Sequence, residues 1–372
     1  MPGQDGVTRL IHIAPDAVFQ DLDETFVVED DAIQATDKLG QGAFGTVSKG
    51  ILKRSEHLVI DVAVKVLYDP NNKERRKTNQ TSQICLETIC AAYTTARQEV
   101  SILQTVEHPH IVPLLGLSRR PLALILALAP LGSLHSIFED RHKDGLRLPV
   151  WVIRQVVIQV ADALDYIHSR NIIYRDLKSD NVLAWNLPGP NDLDPRQPVL
   201  VKLADYGISK SVLPGGTKGF GGTPPFIAPE ILMRTGRDTY TEKVDIFSFG
   251  MFMFELLTCR QPLTEINNIN VHVVHGGRPT LKTEEAFLPS HMLDLMSICW
   301  DQDPHNRPSA AHIRMIASSP QFCHLSDAIT METKSDVLSA CSVFVENMGF
   351  SETSVHSKSL IIINGILLYL IS

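Results

Sequence analysis

The chain has 372 residues, 44 % of them hydrophobic and 20 % charged, with a formal net charge of −8. This is an ordinary globular balance, long enough for a two-lobed unit or two domains with a sizeable core. The acidic excess argues against broad nucleic-acid binding, and no apolar run reaches the roughly 20 residues that span a bilayer, so neither partner is expected.

Residues 1–32 read as a mixed, partly acidic lead-in, and "MPGQDGVTRL" lacks the basic-then-apolar order of a signal peptide. From Ala32 to Leu67 the pattern is strand-like: "KLGQGAFGTVSKGIL" sets two apolar runs around a glycine turn, and "LVIDVAVKVLY" alternates. Residues 70–82 are polar and predict a loop. A helix is predicted over 84–106, then strands in "IVPLLGL" and "LALILALA". An apolar period near 3.6 marks a long helix from Val150 to Ser169, and further helices are predicted over 241–258, 289–300 and 309–317. The Pro- and Asp-rich stretch 186–198 reads as a surface insertion. "DVLSACSVFVENM" is strand-like, and "LIIINGILLYL" offers two apolar runs about Asn-Gly, a hairpin signal. The order, strands with one helix followed mostly by helices, predicts an α+β chain with a small sheet lobe and a larger helical lobe. None of the six cysteines forms a Cys-x-x-Cys pair, so free thiols in a reducing, cytoplasmic setting are expected.

The chemistry concentrates in a few stretches. Gly40, Gly42 and Gly45 form G-x-G-x-x-G. A dinucleotide-binding turn should open a helix, yet "TVSKGIL" continues as a strand, which leaves an oxidoreductase reading without support. A glycine hairpin can instead bring backbone N–H groups onto phosphate oxygens. Lys65 in "VAVK" lies between apolar neighbours, and a buried ammonium needs a partner. Glu99, in the helix that follows, is the candidate. In "NIIYRDLKSDNVL", Asp176 could accept a hydroxyl proton, Lys178 could neutralise a γ-phosphate and Asn181 could hold a metal. Asp205 in "LADYGIS" could chelate Mg²⁺, with Mn²⁺ as an alternative.

The ordered series of the glycine loop with Val47, "VAVK", Glu99, "YRDLKSDN", "DYG", "APE" at 228–230, "DIFSFG" at 245–250 and "RPS" at 307–309 resembles a eukaryotic protein kinase from about residue 33 to 318. The resemblance implies a two-lobed kinase fold, with an N-lobe at about 33–129, a C-lobe at about 130–318, a non-catalytic tail at 319–372 and ATP between the lobes. It further implies a cofactor site of Gly40, Gly42, Gly45, Val47, Ala63, Lys65, Leu126, Leu128, Ala129 and Leu183. Leu126 would be the gatekeeper, and Leu128 and Ala129 would hold adenine through their backbone. Catalysis would rest on Asp176, Lys178, Lys65 and Glu99, and metal binding on Asn181 and Asp205. Asp245 would anchor the catalytic loop, and Glu230 would pair with Arg307. Tyr174 and Tyr206 stand where most kinases carry histidine and phenylalanine. This pairing is similar to the leucine-rich-repeat Ser/Thr kinases of the Roco family, whose substrates are small GTPases of the Rab group. Such proteins carry repeats, a GTPase domain and a linker before the kinase and a β-propeller after it; none of the preceding domains is in this chain, and the strand-like tail at 319–372 is readable as the truncated start of a following β-domain. The resemblance therefore implies a short isoform, a fragment or an incomplete gene model.

The leading expectation is an active Ser/Thr kinase acting on protein hydroxyls, and the alternative is a nucleotide-binding pseudokinase or scaffold. Thr217, in the glycine-rich stretch between Asp205 and Glu230, is the expected regulatory phosphosite, with Arg175 as its partner.

Overall fold

The computed structural model describes residues 18–42, 45–55, 57–68, 82–189, 194, 196–212, 216–233, 235–285, 288–322, 359–363 and 366–370. The loop predicted at 70–82 lies almost wholly outside the described residues, as do "DVLSACSVFVENM" and most of the Pro- and Asp-rich core of the 186–198 insertion. The chain divides into two compact units, one of Met1–Pro130 with Ala204–Ser209, the other of Leu131–Leu203 with Lys210–Ser372.

The first unit is built on an antiparallel sheet of β1 (Ile33–Gly42), β2 (Gly45–Ser55), β3 (Leu58–Tyr68), β4 (Leu114–Arg119) and β5 (Leu122–Ala127), in the order β1-β2-β3-β5-β4. Its helix is α1, Ser82–Leu103. Period-2 alternation sorts the two faces of the sheet. Val62 and Val64 of β3 join Leu52, Ala123, Ile125 and Val28 in one buried apolar cluster. Ala63 and Lys65 point to the opposite face. There the register sets Val47 against Lys65 and Leu126 against Ala63, so these four side chains share one surface. Residues 18–32, which the sequence offers only as a lead-in, bury Phe19, Leu22 and Val28 in this unit.

The second unit is largely helical. In chain order it holds α2 (Leu134–Lys143), α3 (Val150–His168), the short strands β6 (Ile172–Ile173), β7 (Val182–Asn186), β8 (Leu200–Leu203) and β9 (Lys210–Ser211), then α4 (Pro229–Met233), α5 (Lys243–Thr258), α6 (Ile269–Val274), α7 (Ser290–Cys299) and α8 (Ala310–Ala317). α2 and α6 were not legible as apolar stripes, because each is short and buries few residues. α3 is amphipathic and packs against α8 and β8. α5 is different. Every residue from Val244 to Thr258 is buried, so it reads as apolar all round rather than as a stripe. β6 pairs with β9 and β7 with β8, which frames the segment between Ile173 and Val182. β10 (Ser359–Ile363) and β11 (Ile366–Leu370) pair antiparallel as the hairpin signal predicts, with Asn364-Gly365 outside the described residues. Among the described residues no helix is long and apolar enough to cross a membrane.

Candidate active site

In the first unit, Lys65 is the focus. Its Nζ lies 2.8 Å from Glu99 Oε2 and 2.8 Å from Asp205 Oδ1. Lys65 is 5 % exposed and Glu99 0 %. Burial works against the ammonium, but two carboxylates outweigh it, so its pKa is raised and Lys65 stays a cation. Burial pushes the Glu99 carboxyl up, against the pull of Lys65. Glu99 thus occupies the helix position that the sequence assigns to it. Asp205 adopts φ 56°, a left-handed backbone uncommon outside glycine, and Gly207 N–H donates to its Oδ1 at 3.2 Å. On the same sheet surface lie Val47, Ala63 and Leu126. Leu128 and Ala129 follow β5, partly exposed. Gly40 pairs with Val47 and Gly42 with Gly45 across the β1–β2 turn. Gly45 has φ 142°, and a Cβ there would lie 2.2 Å from Val66 O, so only glycine fits.

In the second unit, the loop between β6 and β7 carries Asp176, Lys178 and Asn181. Asp176 is held on several sides. Thr223 Oγ1 donates to Oδ1 at 2.7 Å and Asn181 Nδ2 to Oδ2 at 2.9 Å, while Lys178 Nζ sits 3.2 Å from Oδ2. Lys178 Nζ also donates to Thr223 Oγ1 at 2.7 Å. Asn181 spends its amide nitrogen on Asp176, which orients its carbonyl oxygen as a donor for a hard cation. Leu183, on β7, belongs to this unit, and Ser133 bridges to it.

What fixes that loop is α5. Asp245 accepts Tyr174 N–H at 2.8 Å and Arg175 N–H at 2.6 Å, and its Oδ2 lies 2.8 Å from His168 Nε2. Ten residues further along the helix, Glu255 accepts Ser179 N–H at 2.9 Å and Ser179 O–H at 2.6 Å. The two carboxylates thus hold the loop at both ends, with Asp176 between them and Arg175 at φ 74°. Burial pushes the Glu255 carboxyl up to about 8, against the two bonds from Ser179. Glu255 escaped the sequence reading. The available signal was an acidic residue inside a helix otherwise apolar on every side.

Glu230 of α4 and Arg307 form a bidentate pair at 2.7 and 2.9 Å. Thr217 pairs through its main chain with Tyr240 in both directions at 2.9 Å. The expected partner of its phosphate, Arg175, donates from Nη2 to Phe220 O at 3.2 Å, and Lys210 Nζ donates to Lys218 O at 2.6 Å. Lys210 is a second cation of this segment that the sequence reading did not single out.

Residues 33–317 match the family model described as "Protein kinase domain". The chain belongs to the protein kinase family. It is 41 % identical over 333 residues to the leucine-rich repeat serine/threonine-protein kinase 1 of Caenorhabditis elegans, covering 87 % of this chain and 14 % of that protein. It is 33 % identical over 326 residues to the protein of the same name from Mus musculus, covering 84 % and 15 %. To a Dictyostelium discoideum protein named probable serine/threonine-protein kinase roco5 it is 27 % identical over 334 residues, covering 85 % and 11 %. The chain thus spans about one-seventh of the first two relatives and one-ninth of the third.

Proposed function

We propose that this chain is an ATP-dependent serine/threonine protein kinase, with Asp176 as the base that takes the proton of the attacking hydroxyl. The observation that carries the reading is the carboxylate of Asp176 held at once by Thr223, Asn181 and Lys178. Bound ATP supplies the transferable γ-phosphoryl group, and a divalent metal, for which we take Mg²⁺, supplies positive charge against its phosphates. Lys178 and Thr223 hold Asp176 in one orientation, which lowers the entropic cost of reaching the reacting geometry. Lys65, steadied by Glu99, offers a fixed cation to the phosphates. The backbone amides of the glycine loop offer further donors, and for adenine the resemblance assigns Val47, Ala63 and Leu126 of the first unit and Leu183 of the second. Leu128 and Ala129 offer backbone groups. For the protein ligands of the metal we take Asn181 and Asp205, the oxygen-bearing residues that the family resemblance assigns to it.

Lys178 after the base and Thr223 before "APE" support a Ser/Thr rather than a tyrosine acceptor, as do the relatives' names. Protein substrates follow from the family. Rab-type small GTPases as those substrates, a cytoplasmic location, and a kinase domain at 33–318 flanked by non-catalytic segments rest on the Roco resemblance. The test is phosphate transfer from labelled ATP with Mg²⁺ by the purified protein, beside Asp205→Ala. Label in the wild type alone is expected, and equal label in both would overturn the reading.

A further inference from the structure

Residues 18–28 are tied to two places in the first unit. At one end, Asp21 Oδ2 meets Arg97 Nη2 at 2.5 Å, and Arg97 lies on α1 two residues before Glu99. Phe19, fully buried, and Leu22, 5 % exposed, flank that contact. At the other end, Val28 N–H donates to Leu117 O at 2.9 Å, and Val27 forms a parallel bridge with Leu117. Leu117 belongs to β4, the edge strand of the sheet. Gly116 beside it leaves the room this approach needs: a Cβ there would lie 2.3 Å from Val28 Cγ2 and 3.1 Å from Phe26 O. The segment covers an edge that would otherwise present unpaired backbone groups.

Residues two apart on an α-helix point about 200° apart. Arg97 and Glu99 therefore face opposite ways, and α1 is gripped on its outer side by Asp21 and on its inner side by Lys65. Rotating the helix by 40° would carry a side-chain tip about 4 Å, since tips lie about 5–6 Å from the axis. That is enough to break the 2.8 Å contact between Glu99 and Lys65.

We propose that residues 18–28 are a positioning strap for phosphoryl transfer, which ties the outer face of α1 to β4 and so sets the rotation that presents Glu99 to Lys65. Asp21 and Phe19 are positioning residues and touch no reacting atom. An exposed ion pair contributes little by itself, so the strap works through its register: Phe19 seats the segment, and Asp21 reads the angle of the helix. The proposal rests on the kinase reading for its kinetic consequence alone.

The test uses the full chain with Asp21→Arg, Arg97→Asp and the double swap, read by kcat, by KM for a protein substrate, and by hydrogen exchange of the α1 amides. Asp21→Arg sets two guanidinium groups against each other. It is expected to lower kcat about three- to tenfold at unchanged KM, as a population shift of α1 would, and to speed exchange in α1. The double swap is expected to restore both to within about twofold of wild type, as a true pairwise coupling does. Wild-type kcat and exchange in Asp21→Arg would overturn the proposal, as would a double swap that recovers neither. A wild type without turnover would sink the kinase reading instead, and exchange would still decide the strap.

Discussion

The two units fix their charged groups by different means. In the first, Lys65, Glu99 and Asp205 come from three distant parts of the chain and hold one another, cation against carboxylates. In the second, Asp176, Lys178 and Asn181 come from a stretch of six residues, and a buried helix outside that stretch holds it through Asp245 and Glu255. A mutually paired cluster loses its geometry when any member goes. A loop held from outside keeps its geometry when the reactive member is changed, and loses it when an anchor is changed.

The sharpest test of that contrast is Asp176→Asn. Asparagine keeps the size and one acceptor oxygen, and the anchors Asp245 and Glu255 are untouched. Turnover is expected to fall about 10²–10⁴-fold, the usual contribution of a positioned base, while nucleotide affinity and melting temperature stay near wild type. Steady-state kinetics with a nucleotide titration checks this. Turnover close to wild type would remove Asp176 as the base.

Lys65→Met breaks the other kind of cluster. It leaves Glu99, fully buried, and Asp205 facing each other without their cation. Removing one partner of a buried pair costs about 3–5 kcal/mol. Unlike Asp176→Asn, this substitution is expected to lower the melting temperature as well as turnover. A denaturant titration of both variants side by side decides whether the two clusters differ as described.

The same contrast explains what the sequence made legible. The second unit's loop is read directly, because its polar residues sit within one short apolar frame and spacing alone suggests their roles. Lys65 was legible as an unusual ammonium between valines. Glu99 was legible as its partner from its place in the following helix, whereas Asp205 was read as a metal ligand only, because its pairing with Lys65 across 140 residues depends on tertiary packing. The anchors split in the same way: Asp245 was carried by the family pattern, whereas Glu255 lies in the nearly uniform burial of α5, where periodicity has no polar face to mark. The role of residues 18–32 was illegible because Phe19 and Leu22 form no stripe, and the edge strand that Val28 meets lies far along the chain.

Gly221→Ala should have a smaller effect. A Cβ at this position would lie 1.9 Å from Arg175 Nη2, so the guanidinium must leave Phe220 O. Arg175 is next to the base, and its N–H is held by Asp245, so the loop itself should stay. Overpacking of this kind costs about 1–3 kcal/mol. The expected signature is faster protease cleavage in residues 216–222 with a modest loss of turnover. Unchanged cleavage would mean that the contact of Arg175 with Phe220 does not order the segment.

Tyr206→Phe is the smallest change, removing one hydroxyl from a fully buried side chain next to Asp205. Tyr206 N–H approaches Glu99 Oε1 at 3.4 Å, so the residue is coupled to the Lys65 cluster through its main chain, which the substitution leaves intact. The ring is fully buried, and phenylalanine fits such a site at no polar cost. The tyrosine hydroxyl needs a partner, and burying it without one costs about 1–3 kcal/mol. If the partner is better placed in a resting arrangement than in the active one, the hydroxyl holds part of the population at rest. A bias of about 1.4 kcal/mol is tenfold in population. Basal kcat of Tyr206→Phe is therefore expected to rise, by up to about tenfold, with KM for ATP unchanged because the ion pairs of Lys65 are untouched. The measurement is kcat at matched phosphorylation of Thr217, so that any contribution of the 216–222 segment cancels. A rate equal to or below wild type would leave Tyr206 as packing alone and would return control of the cluster to α1.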